Sequence, residues 1–192
     1  LALNLHIRID QVNSVCKTFE SNSETYTFDP SIAASALMPA IASALKGYTS
    51  YRKIILKDLS FMTFFKHFGE ILNESTSIKS IVFNRTTFIE KNLSVPTGFF
   101  EKIQSPINDI QFWNCDLTNP KFKDLFYEIA RIRTNIESLV IDACDMEKSS
   151  IEAIFYSLFD STCFRSLSEL VIIKGQMADT IQMFIVQLIN SD

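Results

Sequence analysis

The sequence predicts an α/β solenoid: a short strand and a helix per coil, wound about five times, with parallel strands on the concave face and helices on the convex face. Three observations predict it. An eleven-residue apolar pattern recurs in phase five times. All but one of the recurrences are followed by an apolar stripe at helical spacing. The 17 phenylalanines among 192 residues also need an interior long enough for rings to form layers between elements.

The pattern is clearest in "IESLVIDACDM", Ile136 to Met146. It returns as "INDIQFWNCDL" from Ile107, "IKSIVFNRTTF" from Ile78, "YRKIILKDLSF" from Tyr51 and "LSELVIIKGQM" from Leu167. The starts at 51, 78, 107, 136 and 167 are 27, 29, 29 and 31 residues apart. Each copy keeps apolar residues at places one, four, six and eleven. Places four and six lie two apart, so on a strand both side chains point to one side, inward. Places one and eleven mark the turns into and out of the strand. Place nine holds Thr86, Cys115 and Cys144 in the middle copies, side chains able to hydrogen-bond turn backbone. Leu59 and Gly175 break that rule, which predicts looser turns in the first and fifth coils. The spacing resembles the leucine-rich-repeat template LxxLxLxx(N/C)xL, and a period near 29 with a full helix per coil is the ribonuclease-inhibitor-like kind.

Helices fill the rest of each period. Phe64, Phe65, Phe68, Ile71 and Leu72 form one stripe; Phe122, Leu125, Phe126 and Ile129 form another, with Asn119 as cap and Pro120 at the first helical place. Ile151, Ile154, Phe155, Leu158 and Phe159 repeat the spacing, as do Ile181, Phe184, Ile185, Leu188 and Ile189. "SVPTGFFEKIQSP", enclosed by Pro96 and Pro106, predicts only a short helix. One large apolar side chain contributes roughly 1.5–3 kcal/mol on burial, which holds a coil only when a neighbour covers it. Residues 48–192 are therefore read as repeats and 1–47 as a capping segment of strand plus helix. In that segment Leu1, Leu3, Leu5, Ile7 and Ile9 alternate like an edge strand, and Tyr26 and Phe28 suit places nine and eleven of a degenerate coil. Asp29 and Pro30 open a helix there, Pro39 divides it and Gly47 stops it. A chain beginning at Leu1 reads as a piece of a larger protein.

Composition narrows the function. A net charge of −4 without a basic stripe argues against nucleic acid. No apolar run reaches the roughly 18–20 residues of a membrane span. Cys16, Cys115, Cys144 and Cys163 contain no CxxC pair, and His6 and His67 lie apart from them. Four free thiols in a reducing, cytoplasmic setting are expected, with no cofactor and no metal. Three N-x-S/T matches, at Asn73, Asn84 and Asn92, read as chance. Cys115 and Cys144 could form a metal or redox pair, but their common place in successive coils favours a turn ladder. No nucleophile–base set emerges, so a non-enzymatic protein is expected.

The concave face is the candidate site, lined at place five by Ile55, Val82, Gln111, Val140 and Val171 and at place seven by Lys57, Asn84, Trp113, Asp142 and Ile173. A mostly apolar column beside a tryptophan suits a protein partner. The plain alternative is that β-branched residues merely favour strands. Val82, Asn84, Gln111, Trp113, Val140, Asp142, Val171 and Ile173 are the expected contact residues.

Two stretches carry a closer resemblance: "SVPTGFFEKIQSPINDIQFWNCDLTNPKFKDLFYEI", Ser94 to Ile129, with its proline-led "VP…F…F" helix and "LTNP" helix start, and "NIESLVIDACDMEKSSIEAIFYSL", Asn135 to Leu158. On these the region from Tyr51 to Asp192 resembles the repeat domain of the CARMIL family, linkers that regulate actin capping protein. The resemblance implies a cytoplasmic, cytoskeleton-associated scaffold with actin-regulatory partners. That family's basic capping-protein motif is not found here, and no functional residue carries over. A second expectation is a leucine-rich-repeat adaptor or inhibitor, such as the substrate-recognition arm of a ubiquitin ligase.

Overall fold

The longer strands form one parallel sheet in chain order. The computed structural model describes residues 13, 16–17, 23–28, 30, 38–88 and 96–173. Within them lies a six-stranded, wholly parallel sheet: β1 (Thr25–Phe28), β2 (Lys53–Lys57), β3 (Ser80–Asn84), β4 (Asp109–Trp113), β6 (Ser138–Asp142) and β8 (Glu169–Ile173). Each strand pairs with the strand before and after it in this order. The segments opening at Ile78, Ile107 and Ile136 thus lie side by side with their template places aligned, Ile81 on Ile110 and Ile110 on Leu139. Connections carry α1 (Met38–Gly47), α2 (Phe61–Glu74), α3 (Phe122–Ile129) and α4 (Lys148–Asp160). Helix α1 packs on α2, and α3 on α4. The structure is α/β, and among the described residues no helix is long and apolar enough to cross a membrane.

One sheet face and the helices enclose the core. Places one, four and six are at most 4% exposed in the segments from Tyr51, Ile78, Ile107 and Ile136. Rings layer there as their number demanded: Phe83 stacks on Phe112 with centroids 5.0 Å apart, and Phe122 meets Phe112 edge-on at 5.7 Å. Phe61 and Phe88, both at place eleven, stack at 5.4 Å. In the last strand Leu170 and Ile172 are only half-buried.

The turns repeat as closely as the strands. Place eight is left-handed in four successive segments, at Asp58, Arg85, Asn114 and Ala143 (φ 56, 50, 52 and 52°). No glycine stands there, so each residue carries backbone strain. In exchange each N–H donates to the place-seven carbonyl of the next segment, at 2.8–3.0 Å. At place nine, Thr86 Oγ1 donates to the Leu56 carbonyl (3.1 Å), Cys115 Sγ to Phe83 (3.4 Å) and Cys144 Sγ to Phe112 (3.4 Å). Each of these acceptors is at place six of the preceding segment. Place ten adds a second parallel ladder, Ser60–Thr87–Asp116 as bridges and then β5 (Asp116–Leu117) on β7 (Asp145–Met146).

Several expectations need correction. The turn at Leu59 is not looser: Asp58 adopts the same left-handed conformation as its counterparts, with its N–H on the Asn84 carbonyl and its carboxylate paired with Arg85, and no hydrogen bond from the place-nine side chain is needed. Tyr26 and Phe28 occupy places four and six, paired with Ile54 and Leu56. Ser23 at place one hid that strand from an apolar template. Helix α3 begins at Phe122, and Asn119 accepts from the Lys121 N–H in the preceding turn (3.0 Å) while its amide donates to Phe88 O (2.7 Å). Phe159, near the end of α4, is 39% exposed. The Pro96–Pro106 stretch, by contrast, gives the short helix expected of it, a 3₁₀ turn over Phe100–Lys102. The expected strand over 1–9, the Asp29 cap, Gly175 and the stripe from Ile181 lie outside the described residues, as does the side chain of Phe68.

Candidate functional site

Alternation along the strands sends places three, five and seven to the sheet face opposite the core, called outward here. On β4 this puts Asp109, Gln111 and Trp113 outward and Ile110 and Phe112 inward, and the inward pair is at most 3% exposed. Trp113 is 38% exposed and stands between Asn84 of β3 and Asp142 of β6, its register partners. Among the described residues its indole makes no ring contact and no hydrogen bond. Ile173, in register with Asp142, is 45% exposed. Val140, Val171, Gln111, Asn84 and Asp142 are half-buried. The expected contact residues therefore share one face, except in one respect.

That exception is Val82. It was expected at the surface but is 1% exposed, and Ser80 on the same face is 9% exposed. On β3 only Asn84 of the outward residues is half-buried, whereas β2, β4, β6 and β8 keep half-buried or exposed residues along this face. Periodicity assigns a residue to a face; it cannot say whether that face is open at a given strand.

Place three brings in residues that were not expected. Ser80 Oγ donates to Asp109 Oδ2 (2.5 Å), and Gln111 Nε2 donates to the same oxygen (2.7 Å). Asp109 Oδ1 and Gln111 Oε1 are shielded from solvent and accept no hydrogen bond. Ser138 Oγ donates to Glu169 Oε2 (2.7 Å). The sequence signal existed, since place three is outward by the same alternation, but apolar columns drew attention to places five and seven. Charge on this face is divided. Lys53 and Lys57 lie on β2, and Asp109, Asp142 and Glu169 on β4, β6 and β8.

The remaining chemistry is structural. Cys115 and Cys144 are 2% and 1% exposed, and Cys144 Sγ accepts the Cys115 N–H at 3.4 Å. The Cys115 thiol is pushed up by its hydrogen bond to the Cys144 sulfur and then by burial. Burial also pushes Cys163 up to about 12; its thiol donates to the Ala130 carbonyl (3.2 Å). Cys115 and Cys163 are thus protonated thiols satisfying backbone carbonyls, poor nucleophiles in this state, whereas the hydrogen bond with Cys115 pulls the Cys144 thiol down. Cys16 is exposed. Arg85 and Asp58 form a two-point ion pair at the turns, and the hydrogen bond from Arg85 holds the Asp58 carboxyl below its ordinary range. Among the described residues no group of three or more His, Cys, Asp or Glu side chains is placed to hold a metal ion. The His67 side chain lies outside the described residues. Compared with protein-family models and with curated proteins, this chain finds no match.

Proposed function

We propose that the chain is a leucine-rich-repeat solenoid of the ribonuclease-inhibitor-like kind acting as a non-enzymatic interaction scaffold. Its partner docks on the concave face around Trp113, Val140, Asp142, Val171 and Ile173. Strand order and register support the solenoid reading: units of about thirty residues pair with their chain neighbours at matching places. One observation carries the docking reading. A tryptophan held on rigid sheet stands 38% exposed with no described ring or hydrogen-bond partner. Large amphipathic rings of this kind dominate binding energy at protein interfaces. The resemblance of Ser94–Ile129 and Asn135–Leu158 to CARMIL repeats supports actin-regulatory proteins as the partner class.

Two surface variants test this. Trp113→Asp alters the sheet face, and Lys123→Glu alters an exposed position on α3. Used as bait, Trp113→Asp should lose partners that the unaltered chain and Lys123→Glu retain, with an unchanged circular-dichroism melt. Equal capture by Trp113→Asp removes the proposal.

A further inference from the structure

We infer that the partner segment received by β4, β6 and β8 is extended and basic, with an arginine or lysine side chain lying on the Trp113 indole beside Asp142. This rests on the interaction reading and specifies its chemistry. The outward positions of these three strands carry Asp109, Asp142 and Glu169 and no cationic side chain. None of the three carboxylates has an ion-pair partner among the described residues, and the Asp142 side chain makes no hydrogen bond there. Among the described residues the nearest cations on this face are Lys53 and Lys57, two strands from β4, with β3 between.

A second observation concerns individual atoms rather than the count of charges. Asp109 Oδ1 and Gln111 Oε1 are acceptors shielded from solvent without a donor. Their negative ends are unscreened by water, so they deepen the potential felt just above β4 without needing to be touched. An aromatic face beside an unpaired carboxylate is the arrangement that holds a guanidinium or ammonium: the ring attracts the cation and the carboxylate accepts its N–H groups. Val140 and Val171, half-buried between these polar groups, offer an apolar floor for the aliphatic stems of such side chains. An acidic segment would face the like charges of Asp109, Asp142 and Glu169.

Trp113 is the sole tryptophan of the chain, so its emission reports this place and no other. The whole chain is titrated with a short capped peptide of alternating arginine and alanine, and with matched peptides carrying glutamate or serine in place of arginine. The arginine peptide should give a saturable change in emission that weakens as salt rises. In the double variant Asp142→Asn, Glu169→Gln its affinity should fall about tenfold or more, with an unchanged melt. The idea is overturned by no saturable response, by an equal response to the glutamate or serine peptide, or by unchanged affinity in the double variant. Emission that shifts with protein concentration alone also overturns it, by showing a second copy on this face. If the peptides fail while Trp113→Asp still loses its partners, the basic chemistry falls and the interaction reading stands. If Trp113→Asp keeps its partners, both fall.

Discussion

Phe112 and Trp113 are neighbours in the chain and opposites in circumstance. Phe112 is 0% exposed, stacked on Phe83 and edge-on to Phe122; Trp113 is 38% exposed and touches no described ring. One strand therefore serves two purposes through its two faces. Rings on the inner face hold adjoining segments together, while the outward face of β4 leaves Trp113 open to solvent. The difference teaches that aromatic content alone marks neither core nor site. The parity of the position decides.

Substitutions can test how complete that division is. The largest effect is expected for Phe112→Ala, which removes a ring shared by three elements and should cost about 3–5 kcal/mol in urea unfolding. A loss under about 1 kcal/mol would mean the rings are not packed against one another. Val82→Ala comes next. Because Val82 is buried although it faces outward, it should cost about 1.5–2 kcal/mol; an open face at β3 would leave the change within about 0.5 kcal/mol. Cys144→Ala removes a thiol that donates to Phe112 O and accepts from Cys115 N and should cost about 1 kcal/mol. A smaller loss there is the result to expect if the turn holds without a place-nine hydrogen bond, as the turn at Leu59 does. Smallest is Trp113→Asp, which should stay within about 0.5 kcal/mol in the same assay. A larger loss would place Trp113 with the core.

Much of this was legible in the residues themselves. Apolar places one, four, six and eleven located strands β2, β3, β4, β6 and β8, because a period of two followed by a turn admits few other readings. Strand β1 escaped because Ser23 stands where an apolar residue was sought. The turn at Leu59 was misjudged because side chains are visible in a sequence and backbone bonds are not. At the candidate site, strand alternation put the expected residues at positions of one parity. The burial of Val82 was not legible, since it depends on what lies above the strand. The Ser80–Asp109–Gln111 hydrogen bonds were not foreseen either, because they join residues that only the register brings together.

The ordering of the sheet has a mechanical consequence. Ser80 reaches Asp109 and Ser138 reaches Glu169 across 29 and 31 residues of chain, and every described strand is bonded only to its immediate neighbours. Tension applied at the two ends would not meet all these bonds at once. It would peel the outermost strand first, releasing about thirty residues, or roughly 100 Å of extended chain, before the next strand bears the load. The protein would lengthen in steps, one strand at a time.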